Sequence, residues 1–123
     1  MSAKSVLIVD DEPDVRTAFR DILKEKGWKV TAVANGAACL KELRTKADKY
    51  GLVVLDVLLP EQTGYDVLEV IRANWPDLPV VLMSGKVDKL TREALDTLGA
   101  KEFLEKPVPP ELLVKTVEKH LKK

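Results

Sequence analysis

LVVLDVLLPEQTG, at residues 52–64, predicts a buried strand that ends in a carboxylate and a loop. Its first four residues are apolar, so no face is left for water, and the β-branched valines favour an extended backbone. Asp56 follows this run directly, and Pro60 and Gly64 then interrupt the chain. Because ligands bind at the carboxyl ends of parallel strands in α/β sheets, Asp56 is a candidate site residue.

The same pattern recurs elsewhere, where a strand-like run is followed by polar side chains. These residues are Asp10, Asp11 and Glu12 after VLIV (6–9), Ser84 after VVLM (80–83), and Lys106 after the short segment 101–104. The segment 28–33 alternates large and polar residues, which predicts an edge strand. The sequence therefore predicts five strands.

Segments with helical signals separate these strands. The first carries an apolar stripe that comprises Val15, Ala18, Phe19, Ile22 and Leu23. Asn35 is a suitable N-cap, and Thr63 with Asp66 has the spacing of a capping box. Helices are therefore expected between Pro13 and Gly27, from Gly36 to about Ala47, from Gly64 to about Asn74, between the N-cap Asp88 and Gly99, and after Pro110.

Composition restricts the class of protein. The 123 residues suit one domain, and twenty basic residues balance twenty acidic ones, so no overall charge favours nucleic acid or an anionic membrane. Cys39 is the only cysteine, which excludes an internal disulfide and a thiolate metal cluster. No apolar stretch has membrane-spanning length, so we expect a cytoplasmic protein.

Five strands alternating with five helices predict an α/β fold, in which a mainly parallel sheet is covered on both faces. All strand carboxyl ends then lie along one edge. Side chains that are distant in sequence should converge there, namely Asp10, Asp11, Asp56, Ser84 and Lys106.

This constellation predicts phosphoryl chemistry assisted by a metal. Clustered carboxylates need a counter-charge, and all-oxygen ligands favour Mg²⁺, which keeps waters and leaves room for a phosphoryl oxygen. Lys106 and Ser84 supply a cation and a hydroxyl on the opposite side. Asp56 is then the nucleophile that would form an acyl phosphate.

The chain resembles the receiver domains of two-component response regulators over almost its whole length, so residues 1–123 are expected to form one receiver domain. The matching features are Asp10-Asp11 after VLIV, Asp56 after LVVL, Pro60 and Gly64, Ser84-Gly85 after VVLM, and Lys106-Pro107 after FLE. The resemblance implies a flavodoxin-like (βα)5 three-layer sandwich, with a five-stranded parallel sheet in the order 2-1-3-4-5.

The resemblance also implies how the site works. Asp56 would be the phosphorylated residue and, with Asp11, a direct Mg²⁺ ligand. Asp10 would bind the ion through water, and Leu58 through its backbone carbonyl. Lys106 would bind the phosphoryl group. The resemblance also implies a regulatory domain that is not an enzyme and catalyses only its own phosphorylation and dephosphorylation.

Switching and partners are likewise implied by the family. Ser84 would be the switch hydroxyl and Phe103 the aromatic that changes rotamer, which would alter the surface of the fourth helix, fifth strand and fifth helix. The Lys106–Pro107 bond is expected to be cis. A sensor histidine kinase or histidine phosphotransfer protein would dock on the first helix, near Arg16 and Arg20, and a downstream effector or output domain would read the state, without direct nucleic-acid or membrane binding.

The sequence departs from the commonest family pattern in two respects. Phe103 lacks the hydroxyl of the frequent Tyr, so we expect its inward rotamer to be populated even without phosphate. Leu58 and Lys86 lie two residues after the expected acceptor and the expected switch hydroxyl. The resemblance implies that side chains at these two positions tune the lifetime of the phosphoryl group. Because Leu58 offers no group to position water, slow self-dephosphorylation is expected.

Two other classes of function compete with this interpretation. A Mg²⁺-dependent phosphohydrolase of the haloacid dehalogenase type also uses an Asp after a strand, but needs a second acid two residues on, where Leu58 stands. A receiver-like module that is never phosphorylated would not need the complete set of acids, hydroxyl and lysine. The chain suits either a free-standing receiver or a segment of a longer regulator or hybrid kinase.

Overall fold

The apolar runs form the strands of one sheet in the computed structural model, which describes residues 4–87 and 89–122. Within these ranges the strands are β1 (Ser5–Val9), β2 (Val30–Val33), β3 (Tyr50–Asp56), β4 (Val80–Ser84) and β5 (Glu102–Glu105). The helices are α1 (Pro13–Glu25), α2 (Gly36–Lys46), α3 (Gly64–Asn74), α4 (Lys89–Glu93), α5 (Leu95–Leu98) and α6 (Pro110–His120), and a single 3-10 turn spans Ala47–Lys49.

All strand pairs of this sheet are parallel, in the order β2-β1-β3-β4-β5. Helices α1 and α6 cover one face, and α2, α3 and α5 pack on the other. The predicted flavodoxin-like α/β fold and strand order are therefore confirmed. The two core layers include Phe19, Leu23, Leu113 and Val117 on the first face, and Cys39, Leu43, Val67, Ile71 and Phe103 on the second.

Strand β3 is the centre of both layers. Leu52 and Val54 point into the first layer, and Val53 and Leu55 into the second. All four side chains are fully buried, as expected for a strand between two helical layers. The strand therefore carries Asp56 to the carboxyl edge from the interior of the protein. None of the described helices combines the length and apolar character needed to cross a bilayer.

Local signals in the sequence fix several helix ends. The Asn35 side chain accepts a hydrogen bond from the Ala38 N–H at 2.8 Å, and Thr63 and Asp66 form the predicted capping box. After α1, Gly27 has φ +96°, and the Trp28 N–H donates to the carbonyl of α1 residue Leu23 at 3.2 Å. Because Trp28 closes the end of the helix, β2 begins at Val30, two residues later than predicted.

The predicted fourth helix is divided in two. Ala94 interrupts it, because the Ala94 N–H donates to the carbonyl three residues earlier, on Thr91, at 3.2 Å. Regular bonding resumes with Leu98 to Ala94, and Gly99, at φ +77°, ends α5 as predicted. The expected N-cap, Asp88, lies outside the described residues.

Three smaller outcomes concern other positions. The Lys106–Pro107 peptide bond is cis, as expected, and β5 begins at Glu102, one residue later than predicted. In α1 the predicted stripe is one residue too wide, because Ala18 is exposed. At about 100° per residue, Ala18 is rotated away from Phe19 to the margin of the buried face.

The loop after β3 requires a glycine at position 64. The Gly64 N–H donates to the Val57 carbonyl at 2.7 Å, which folds the start of α3 back on the end of β3. A Cβ at Gly64 would lie 2.3 Å from the Asp56 carbonyl oxygen and 2.8 Å from the Val57 Cα. Both atoms belong to the backbone that holds the candidate site, so neither can move aside without disturbing it.

We predict that Gly64→Ala destabilises the fold and displaces the Asp56 backbone. Overpacking of this kind costs about 1–3 kcal/mol of unfolding free energy, measurable by urea denaturation. Gly85→Ala is the matched control, because a Cβ at Gly85 meets no atom within 4 Å. Its effect should stay within about 0.5 kcal/mol. Equal unfolding free energies for the two variants would contradict the tight approach at Gly64.

Candidate functional site

Three strands deliver the charged residues of the site to one edge of the sheet. The Lys106 Nζ atom, beyond the end of β5, lies 2.9 Å from Asp10 Oδ2 after β1 and 2.9 Å from Asp56 Oδ2 at the end of β3. Lys106 is 50 residues from Asp56 and 96 from Asp10 in sequence. The convergence predicted from the parallel topology is therefore present for these three side chains.

Burial makes these charges interdependent. The side chains of Asp10 and Asp56 are 0% and 4% exposed, and that of Lys106 is 19% exposed. Burial raises the pKa of Asp56 and outweighs the opposing hydrogen bonds from Lys106 and the Leu58 N–H, while the charge of Asp10 raises it further. Burial lowers the pKa of Lys106, but the hydrogen bonds and the charges of Asp10 and Asp56 together outweigh it and leave the pKa raised. Asp56 is thus a poorly solvated carboxylate facing a persistent cation, as a nucleophile toward phosphorus requires.

Backbone contacts hold the two buried carboxylates in place. The Glu12 N–H donates to Asp10 Oδ1 at 2.9 Å, and the Leu58 N–H donates to Asp56 Oδ1 at 3.1 Å. Arg16 Nη1 donates to the Asp10 carbonyl oxygen at 2.8 Å, which ties α1 to the end of β1. Each acid therefore keeps its second oxygen, Oδ2, directed at Lys106.

The acidic residues fit a hard divalent cation. Oxygen atoms of Asp10, Asp11 and Asp56 lie within 4.8 Å of one another, and Asp11 is exposed while the other two are buried. The ammonium of Lys106 pairs with two of these acids, Asp10 and Asp56, so one positive charge faces two negative ones and Asp11 adds a third nearby. Oxygen donors in small number, open to solvent on one side, are the ligands that Mg²⁺ prefers because it retains several waters. The residues present therefore fit Mg²⁺.

A cavity of about 590 Å³ opens above these residues. Its polar lining comes from the acids and the lysine, and apolar side chains form part of its rim. The lining residues are Asp11, Glu12, Val15, Asp56, Leu58, Gly85, Lys106 and Pro107. The Asp56 carboxylate therefore borders an open cavity.

The other predicted site residues make contacts of different kinds. The Ser84 hydroxyl donates to the Lys86 carbonyl at 3.0 Å and accepts from the Lys86 N–H at 3.3 Å. Phe103 is 4% exposed in the core, with its ring centroid 6.4 Å from that of Tyr65. The Leu58 side chain is 72% exposed, and its backbone N–H contacts Asp56. The roles expected of Ser84, Phe103 and the Leu58 carbonyl stay predictions.

Sequence reasoning overlooked one contact within the site. Glu12 Oε1 lies 3.3 Å from Lys106 Nζ, which makes Glu12 a third carboxylate on the same ammonium. Its position directly after the acidic pair was the available signal. That signal did not indicate where the Glu12 side chain points, because a loop residue beyond a strand can face the site or the solvent.

The comparisons with known proteins agree on the family. The model of the response regulator receiver domain matches residues 6–118. The chain is 38% identical to an NtrX-like response regulator of Rickettsia bellii over 116 residues, 93% of this chain and 24% of that protein. It is 36% identical to the probable transcriptional regulatory protein TcrX of Mycobacterium tuberculosis over 110 residues, 89% of this chain and 46% of that protein.

A solved structure supports the same assignment. The receiver domain of NtrX from Brucella abortus superposes with a TM-score of 0.85 at 31% identity, and the match covers 95% of this chain and 98% of that one. The chain spans less than half the length of the two curated relatives named above. The family model, the sequence relatives and the structure thus coincide, and this chain belongs to the response regulator receiver domain family.

Proposed function

We propose that this receiver domain is a switch whose state is set by phosphorylation of Asp56. The observation that carries the proposal is the position of Lys106 Nζ, 2.9 Å from both Asp10 and Asp56. This geometry supports phosphoryl transfer, because the ammonium can neutralise a phosphoryl oxygen as it reaches Asp56. The donor would be the phosphohistidine of a sensor kinase or phosphotransfer protein.

The transfer step follows from the chemistry of the two partners. An Asp56 carboxylate oxygen attacks phosphorus and forms an O–P bond, while the P–N bond to the donor imidazole breaks and its nitrogen keeps the electron pair. Lys106 holds the phosphoryl oxygens from one side. Asp10, Asp11 and Asp56, with the Leu58 carbonyl, would hold Mg²⁺, which when bound offsets negative charge on the transferring group.

The switch would begin at Ser84. Phosphorylation replaces one carboxylate charge with about −1.5 to −2 and adds acceptor oxygens that attract the Ser84 hydroxyl. To respond, that hydroxyl must leave the Lys86 backbone. Phe103 is buried in the core, which supports the proposal that it occupies its inward rotamer. Through Phe103 the change would reach the surface formed by α4, α5, β5 and α6.

Partners follow from the same placement. Arg16 and Arg20 lie on α1 and are candidates for recognition of the phosphodonor. One Arg16 nitrogen binds the Asp10 carbonyl and so places Arg16 beside the site. TcrX, a relative that is more than twice as long as the matched segment, is a transcriptional regulatory protein by name. By analogy, an output domain or effector protein in the cytoplasm would read the state of this domain.

Acetyl phosphate with Mg²⁺ tests the proposed acceptor. We expect intact-protein mass spectrometry to detect the gain of one phosphoryl group, located at Asp56 by peptide mapping, and no gain for Asp56→Asn because the amide is not nucleophilic. Rapid release of inorganic phosphate without a stable adduct would instead indicate a phosphohydrolase. No modification under these conditions would indicate an interaction module.

Leu58 should make the phosphorylated state long-lived. Its exposed apolar side chain cannot orient a water molecule toward the acyl phosphate. We expect Leu58→Asn to accelerate decay of phospho-Asp56 on the order of tenfold, because an amide can position the water. Leu112→Asn on α6 is the control, since Leu112 is also an exposed leucine. Fast decay that Leu58→Asn leaves unchanged would refute this role.

Mg²⁺ should stabilise the folded protein because it relieves repulsion among the three acids. At about one hundred times its dissociation constant, a ligand specific for the native state adds about 2.7 kcal/mol to the unfolding free energy. We expect this gain for the wild type and little gain for Asp11→Asn, both measured by urea denaturation. Sodium chloride at matched ionic strength is the control. Equal Mg²⁺ stabilisation of both proteins would place the ion elsewhere.

A further inference from the structure

Glu12 completes the set of groups around Lys106. Its Oε1 lies 3.3 Å from Lys106 Nζ, and Asp10 and Asp56 each lie 2.9 Å from the same nitrogen. A lysine ammonium has three N–H donors, so these three carboxylates match its full donor capacity. A phosphoryl oxygen that approaches Lys106 before the bond to Asp56 forms must therefore displace one of them.

Glu12 is the partner that is displaced most easily. Its side chain is 62% exposed, whereas those of Asp10 and Asp56 are almost completely buried. A buried carboxylate that loses its cation is left as an unpaired charge in the interior, which is strongly unfavourable. An exposed carboxylate exchanges a cation for water at little cost. The Glu12 contact is also the longest of the three.

Neither the helix nor the metal cluster explains a glutamate at this position. Glu12 is the N-cap residue of α1, but its side chain makes no capping hydrogen bond. Ser, Thr, Asp and Asn are the residues that stabilise an N-cap. The described acids that could hold a metal together are Asp10, Asp11 and Asp56, without Glu12. The contact with Lys106 is the polar interaction that distinguishes this side chain.

We propose that Glu12 is a positioning residue that holds the place on Lys106 later taken by a phosphoryl oxygen. The inference rests on the proposed function of the site. In the resting protein Glu12 keeps the ammonium fully paired beside Asp56. When a phosphoryl group arrives, Lys106 exchanges the Glu12 carboxylate for a phosphoryl oxygen, and Glu12 turns to solvent. Glu12 thereby competes with the phosphoryl group and limits how tightly the site holds it.

Beryllofluoride, an analogue of the phosphoryl group, tests this competition in the full chain with saturating Mg²⁺. Glu12→Gln keeps the side-chain length and removes the charge. We expect its dissociation constant for beryllofluoride, measured by fluorine NMR, to fall about two- to fivefold, the range that corresponds to an exposed ion pair. Phosphorylation by acetyl phosphate should accelerate by a similar factor. Asp14→Asn makes the same charge change in the first turn of α1 and should alter neither quantity.

The outcomes separate this inference from the proposed function. Unchanged or weaker beryllofluoride binding by Glu12→Gln would overturn the role of Glu12, with the proposed function intact because the wild type still binds. Equal tightening by Asp14→Asn would also overturn it, since the effect would then be one of general charge. A wild type that neither binds beryllofluoride nor accepts phosphate would remove both proposals. If Glu12→Gln lowers the unfolding temperature, Glu12→Ser supplies a capping hydroxyl and tests the same competition.

Discussion

The ammonium of Lys106 is the contact on which the arrangement of the site depends. It lies between two buried carboxylates, Asp10 and Asp56, and offsets the repulsion between them. Strand β4 separates β3 from β5, so the lysine must reach across the end of β4. The small residues Ser84 and Gly85 stand at that end, and Gly85 lines the open cavity. The contact of Lys106 with both acids thus depends on the strand order and on the small residues at the end of β4.

The fold was predictable because its signals are local and mutually consistent. Apolar runs specified the strands, and Asn35, Thr63 and Gly99 each capped a helix where expected. Convergence at one edge followed from parallel topology alone. The division of the fourth helix was not predictable, because alanine is a good helix former. Nothing in the residue type indicates that the Ala94 N–H bonds the carbonyl three residues earlier, on Thr91, instead of four. The helix propensity of a residue indicates how strongly it favours a helix, but not which hydrogen bond its N–H will make.

Side-chain direction was the part of the site that sequence could not supply. Ser84 has the expected place at the end of β4, and its hydroxyl bonds the backbone of Lys86, a contact that the sequence did not indicate. Glu12 reaches Lys106, although its residue type and position suit a solvated carboxylate equally well. Both orientations depend on rotamers selected by neighbouring elements. Residue type and spacing therefore identify the members of the site, whereas the contacts identify which of them compete for Lys106.

The two sides of the site are built differently, and this difference bears on the proposed switch. In the loop after β3, Glu61 has φ +72°, and the Gln62 N–H donates to the Pro60 carbonyl at 2.8 Å. A positive φ is strained for a glutamate, so this tight turn persists only if the surrounding structure holds it. The contact of Gly64 with Val57 supplies that enforcement. On the β4 side, a serine hydroxyl bonded to a neighbouring backbone precedes two short helices, which carry few internal hydrogen bonds. If Asp56 is phosphorylated as proposed, the loop after β3 would therefore resist displacement while the β4 side moved, and the change would be transmitted toward α4, α5 and β5.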